Sequence, residues 1–175
     1  MSTPLVSILM NCYNGEKYLE VALKSVFDQT YKNWELVFWD NLSSDKSEEI
    51  LKRFKDPRVK YFKSDIHTSQ YEARNKGIEK CEGDILAFLD VDDFWLPEKL
   101  EQQIKLFQHS NIGFSCKPPK IDNRALARAR AWFSQMCETS KIHSLRIIFG
   151  NFLHAHCFRE FCCKSPPRKS SKTMR

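Results

Sequence analysis

The chain has 175 residues, 42% of them hydrophobic and 13% aromatic, which suffices for one domain with a core and excludes a large multidomain assembly. Charged residues make up 29%, and no run approaches the roughly 18 to 20 uninterrupted apolar residues of a membrane-spanning helix. The net charge of +6 is unevenly spread: residues 1–116 hold 15 Lys and Arg against 19 Asp and Glu, and residues 117–175 hold 13 against 3, so the basic excess is a property of the tail and no specific nucleic-acid partner is expected.

The first 110 residues divide into four units, each an apolar run followed by a stretch of helical period. Residues 5–10 read as a strand without polar alternation, hence buried on both faces. Residues 16–29 read as a helix, with Leu19, Ala22, Leu23, Val26 and Phe27 on one apolar stripe. A second strand spans 34–39 and runs directly into Asp40-Asn41. The next helix begins near Asp45, where Asp45 and Glu48 have the spacing of a capping box, and Asp56-Pro57 ends it. A short strand at 59–62 precedes a polar helix at 68–81, weakened by Gly77. The fourth strand, 85–89, is followed by a helix that Pro97 opens and that ends near 109. Strands alternating with helices predict a mostly parallel sheet covered on both faces, whose ligands bind beyond the carboxyl ends of the strands.

The residues just after those strands are polar and acidic. Asn11-Cys12-Tyr13-Asn14-Gly15 follows the first, Asp40-Asn41-Leu42-Ser43-Ser44-Asp45 the second, and Asp90-Val91-Asp92-Asp93 the fourth. Three carboxylates within four residues repel one another unless a cation is present, and hard Mg²⁺ or Mn²⁺ prefers such oxygens while keeping part of its shell for water and phosphate. The bland alternative is that one or two of these aspartates cap the following helix or face water. Tyr13 sits where an aromatic ring stacks on a base, and Asp40 or Asn41 where a side-chain oxygen accepts from a base or ribose. No Gly-x-Gly-x-x-Gly and no Gly-Lys-Ser/Thr is present, so phosphate would be held by metal and arginine, for which Arg74 is the candidate. Arg74 can also be read as a solvated helix charge.

Taken together, Val6 to Gly15, Leu19 to Tyr31, Trp39-Asp40-Asn41-x-Ser43-x-Asp45, Ala73-Arg74-Asn75-x-Gly77-Ile78 and Gly83-Asp84-x-x-Ala87-Phe88-Leu89-Asp90-x-Asp92-Asp93-x-Trp95 resemble the amino-terminal half of a family 2 glycosyltransferase of the GT-A fold. The resemblance covers residues 5 to about 110 and implies transfer of a sugar from a nucleoside-diphosphate-sugar donor to a glycan or lipid-linked acceptor, with inversion. It implies that Asn11 and Tyr13 border the base, that Asp40 and Asn41 lie at base and ribose, and that Arg74 lies near base or diphosphate. Asp90 and Asp92 would approach ribose and metal, and Asp92 or Asp93 would hold the metal. Asn11-Cys12 stands where many members have Pro-Thr, and Asp40-Asn41 where many have paired acids. The family's general base comes later in the chain; beyond residue 116 only Asp122, Glu138 and Glu160 are acidic, none in a recognisable motif, so no base is nominated.

The reading is therefore an α/β nucleotide-sugar-binding domain over residues 5–115 and a basic, cysteine-containing tail over 116–175. The amino terminus lacks the basic lead and cleavage site of a signal peptide, which sets the expected location in the cytoplasm, with peripheral association at the inner face of the membrane. The seven cysteines then read as free thiols. His154-x-His156-Cys157 with Cys162-Cys163 offers zinc ligands at a spacing that matches no familiar finger. The change in composition, the charge reversal and the missing acceptor half lead to the expectation that the tail is not an evolved acceptor domain but the product of a frameshift or of a truncated or misassembled reading frame, and that the chain alone is weak or inactive. The alternative is a non-catalytic nucleotide-binding protein whose tail binds nucleic acid or an anionic membrane.

Overall fold

The computed structural model describes residues 3–108, 114–115 and 146–149. Its elements run β1 (Val6–Cys12), α1 (Leu19–Phe27), β2 (Trp34–Asp40), α2 (Ser47–Lys52), β3 (Val59–Lys63), α3 (Gln70–Ile78), β4 (Ile85–Phe88), α4 (Lys99–Gln108), β5 (Phe114–Ser115) and β6 (Arg146–Phe149). Six strands form one sheet in the order β3-β2-β1-β4-β6-β5, and every pairing is parallel. After β3 the chain crosses back over β2 and β1 to add β4 on the far side of β1. Strand order therefore reverses between β1 and β4, and the crevice at such a switch point is where open parallel sheets bind ligands.

The alternation of side chains assigns the two faces. Val6, Ile8, Met10 and Cys12 point to one side, where they join Trp34, Leu36, Phe38, Ile85, Ala87 and Leu89 beneath α1, α2, Trp95 and the first turns of α4. This is the larger core, and its buried stripe on α1 is Leu19, Ala22, Leu23 and Val26, as the periodicity predicts. Ser7, Leu9 and Asn11 point to the other side, which α3 covers. That helix has little apolar surface, burying Ala73, Arg74, Gly77 and Ile78. It makes up for this by lying close: a Cβ on Gly77 would stand 2.5 Å from Cδ1 of Leu9. Gly77, read from sequence as a weakness, is what lets α3 reach the sheet.

Several boundaries differ from expectation, each for a local reason. Helix α1 starts at Leu19 and not near Glu16, because residues 15–18 form turns closed by Tyr18 and Leu19 amides on the Gly15 carbonyl. Asp45 and Glu48 form no capping box: Asp45 accepts from the Ser47 and Glu16 amides, and Glu48 pairs with Lys52 and Lys63. The capping box lies instead at Ser69 and Glu72, opening α3. Pro97 precedes α4, and its carbonyl accepts from the Thr30 amide at 2.9 Å. Strand β6 lies within the stretch read as an irregular tail; the run Ile147-Ile148-Phe149 before Gly150 was its signal. The zinc-type cluster and the three late acidic residues lie outside the described residues.

Candidate functional site

The carboxyl ends of β1 and β2 are in register, Asn11 beside Trp39 and Cys12 beside Asp40, so the two following loops rise together. Each then turns through a left-handed residue, Asn14 with φ 53° and Leu42 with φ 69°. Side chains of one loop satisfy backbone of the other. The Asn14 amide donates to Ser43 Oγ at 3.0 Å and the Ser44 amide to Asn14 Oδ1 at 2.9 Å. The Gly15 amide donates to Ser47 Oγ at 3.0 Å, the Glu16 amide to Asp45 Oδ2 at 2.8 Å, and the Lys46 amide to Glu16 Oε2 at 3.0 Å. Tyr13, beside this interlock, remains 53% exposed. Burial works against the charge of Asp45, yet the Ser47 hydroxyl and the Glu16 and Ser47 amides hold its carboxyl below the ordinary range.

Asp40 is fully buried, accepting from the Ser43 amide at 2.7 Å through one oxygen and from the Tyr61 hydroxyl at 2.8 Å through the other. Burial and this carboxylate push the Tyr61 phenol well above its usual pKa, so it stays a donor. Asn41, also buried, has its amide occupied: Oδ1 accepts from the Thr68 amide at 3.1 Å and hydroxyl at 3.0 Å, and Nδ2 donates to the Thr68 carbonyl at 2.7 Å. These bonds clamp the loop between β3 and α3. His67 in that loop sets its Nδ1 3.1 Å from the Asn41 carbonyl and packs its ring 4.1 Å from that of Tyr13, tilted by 43°. Cys12 is buried beneath, and burial raises its thiol above the ordinary range, which leaves it inert as a nucleophile.

Across β1 lies the acidic end. Arg74 reaches from α3 to donate to Asp90 Oδ1 at 2.5 Å, with its guanidinium 5.9 Å from the Phe88 ring centroid. Its side chain is 8% exposed, so it is not the solvated helix charge that the sequence also allowed. The Asp93 amide closes a turn on the Asp90 carbonyl at 3.1 Å, which gathers Asp90, Asp92 and Asp93 at the end of β4. Burial, then the charges of Asp90 and Asp92, push the Asp93 carboxyl upward, and Lys99 opposes them. The cluster thus carries negative charge that its surroundings leave only partly balanced. Asp92 is exposed and Asp93 half-buried. Asp92 and Asp93 offer hard carboxylate oxygens of the kind that Mg²⁺ and Mn²⁺ take, one or two per ion with water and phosphate completing the shell. Among the described residues no group of three or more His, Cys, Asp or Glu is arranged to hold a metal ion. Asn11 stands on β1 between the two ends, and both polar atoms of its amide are buried without a partner.

The sheet therefore brings the eight predicted residues to one edge, Tyr13, Asp40 and Asn41 at one end and Arg74, Asp90, Asp92 and Asp93 at an acidic end, with Asn11 between them. Sequence reasoning missed the interlock of Asn14, Ser43, Asp45 and Ser47, although the turn-forming composition of both loops signalled it. It also missed His67, for which no periodicity or spacing gives a signal. A pocket of about 520 Å³ lined by Thr3, Thr30, Tyr31, Asn33, Glu101 and Ile104 lies at the opposite, amino-terminal edge of the strands, away from this chemistry.

Among the described residues the parallel sheet, with its switch point between β1 and β4 and an acidic loop at the end of β4, has the GT-A fold of solved glycosyltransferase structures. The mannosyltransferase PcManGT from Pyrobaculum calidifontis, solved with GDP-Man and Mn²⁺, shares it, with a TM-score of 0.65 and 17% identity over 87% of this chain and 56% of its own. The sequence model for glycosyl transferase family 2 matches residues 7–162, and the chain belongs to that family. An uncharacterized glycosyltransferase of Haemophilus influenzae is 42% identical over 114 residues, covering 64% of this chain and 46% of its own length. An Escherichia coli UDP-Glc:alpha-D-GlcNAc-diphosphoundecaprenol beta-1,3-glucosyltransferase is 40% identical over 114 residues, covering 65% and 45%. The chain thus spans a little under half the length of these curated relatives.

Proposed function

We propose that this chain binds the donor in a glycosyltransferase that moves a sugar, with inversion, from a nucleoside diphosphate to a glycan or lipid-linked acceptor. The observation that carries the reading is the pairing of Arg74 with Asp90 beside Asp92 and Asp93 at the switch point, opposite the Tyr13 ring. A diphosphate lying between the two ends would meet one guanidinium and a set of hard oxygens. Either Mg²⁺ or Mn²⁺, held by Asp92 and Asp93, would act as a Lewis acid that neutralises charge on the leaving diphosphate. In support, the Escherichia coli relative is named for a diphosphoundecaprenol acceptor and the Pyrobaculum enzyme was solved with GDP-Man and Mn²⁺.

The chain's own residues do the remaining work. Tyr13 offers the base a stacking face, and Asp40 and Asn41 hold the walls of that end through Tyr61, Ser43 and Thr68. Arg74 holds Asp90 in place, and its guanidinium would lie near the diphosphate of a bound donor. With a lipid-linked acceptor the reaction would take place at a membrane surface, for which our reading is the cytoplasmic face with peripheral association; separately, no helix among the described residues is long and apolar enough to cross a membrane. Release of labelled sugar from a nucleoside-diphosphate donor tests the reading. Turnover that chelator and Asp92→Ala both abolish supports it, and turnover indifferent to both would overturn the metal-diphosphate assignment.

A further inference from the structure

We propose that His67 reads the nucleobase, its Nε2 accepting a hydrogen bond from a ring N–H, so that the site selects uracil, thymine or guanine over cytosine and adenine. The inference rests on the nucleotide reading above and adds to it a residue and a base class. Three observations carry it.

The imidazole is held in one tautomer. Its Nδ1 lies 3.1 Å from the Asn41 carbonyl, which can only accept, so Nδ1 carries the proton and donates. The Asn41 Nδ2, at 3.4 Å from the same nitrogen, is already turned to the Thr68 carbonyl at 2.7 Å. Neutral imidazole protonated at Nδ1 leaves Nε2 as an acceptor, and Nε2 makes no hydrogen bond to the described residues. The loop that carries the ring is braced by three bonds between Asn41 and Thr68 and by the Ser64 hydroxyl on the Ile66 carbonyl at 2.7 Å, so the acceptor is held ready.

The ring is also in the right company. It leans on Tyr13 at 4.1 Å and 43°, and the two rings make an oblique corner, both side chains exposed. A flat base seated there stacks on Tyr13 and turns an edge toward the imidazole. Finally, the other acceptors at this end are occupied. Asp40 is fully buried with both oxygens bonded, Asn41 Oδ1 receives two donors, and Asn14 Oδ1 receives the Ser44 amide. Asn11 Oδ1 is also without a partner but is buried, so His67 is the exposed side chain here that offers an unpartnered acceptor. Uracil and thymine carry N3–H and guanine carries N1–H, whereas the corresponding ring nitrogens of cytosine and adenine are themselves acceptors and would face Nε2 lone pair to lone pair.

Calorimetric titration of UDP, GDP and CDP into the full chain at pH 8 with Mn²⁺ tests this, using wild type, His67→Phe and Tyr13→Ala. The phenylalanine variant keeps a ring against Tyr13 and loses the acceptor. Wild type should bind UDP or GDP about tenfold more tightly than CDP, and His67→Phe should remove most of that margin while changing CDP less than about twofold. Tyr13→Ala should weaken all three alike. Equal affinity of wild type for CDP and for both other nucleotides, or an unchanged margin in His67→Phe, would overturn the assignment of His67 alone. Failure of all three nucleotides to bind wild type would overturn the nucleotide reading itself, and His67 with it.

Discussion

Single side chains at this edge divide into those that face a ligand and those that hold others in place. Asn41 illustrates the second kind. The sequence places it at the base and ribose, and the structure shows its amide saturated by Thr68, an arrangement in a loop whose conformation no periodicity encodes. Asn41→Ala should cost about 1–3 kcal/mol in urea unfolding, because it strands buried donors and acceptors of the 64–68 loop. An effect below a few tenths would show that the clamp is idle. Asp92 and Asp93 are proposed to be of the first kind, a reading the sequence suggests because three carboxylates within four residues after a buried strand repel one another without a cation. Asp92→Ala or Asp93→Asn should weaken nucleoside diphosphate binding in Mn²⁺ and leave thermal stability nearly unchanged. Loss of stability without loss of binding would mark them as structural.

At the level of elements, the four strand-helix units through α4 were readable because buried parallel strands are continuous apolar runs and α1 carries a clean stripe. What escaped was set by tertiary contact. The interlock of the loops after β1 and β2 draws Asp45 away from a local cap, and α3 takes its cap from Ser69 and Glu72. The polar α3 looked weak from sequence, yet it is the helix that carries Arg74 to Asp90. Its seat depends on Gly77, so Gly77→Ala should destabilise the fold by about 1–3 kcal/mol through overlap with Leu9. Leu9→Ala, costly on its own as the truncation of a buried side chain, should cost less in that background than alone. If Gly77→Ala is neutral, α3 does not lie as close to β1 as described.

For the whole molecule, the sheet is tied together at its amino edge by a buried polar group. Glu35 Oε1 receives the Ser7 hydroxyl at 2.5 Å and the Glu82 amide at 2.8 Å, while Oε2 meets Lys60 at 2.8 Å. Burial disfavours its charge, but Lys60, Ser7 and the Glu82 amide prevail and hold its carboxyl below the ordinary range. A carboxyl lowered on folding stabilises above its unfolded pKa of about 4.3, and that contribution fades as pH falls through the folded value. Glu35→Gln should therefore cost about 1–3 kcal/mol at pH 7, and the penalty should shrink below pH 4; a penalty independent of pH would contradict this role. The overall charge, +6 by composition, misdescribes this half of the molecule, since residues 1–116 are net acidic and the site is an acidic edge. Motif reading stopped near residue 110, whereas the family match runs to residue 162 and β6 extends the sheet beside β4. We propose that this edge binds a nucleoside diphosphate through a divalent cation. Titration of UDP and of GDP into the full chain, in Mn²⁺ and then in EDTA, tests it most directly: at least one should bind in Mn²⁺ and lose tenfold or more in EDTA, and binding of neither, or binding indifferent to the metal, would contradict it.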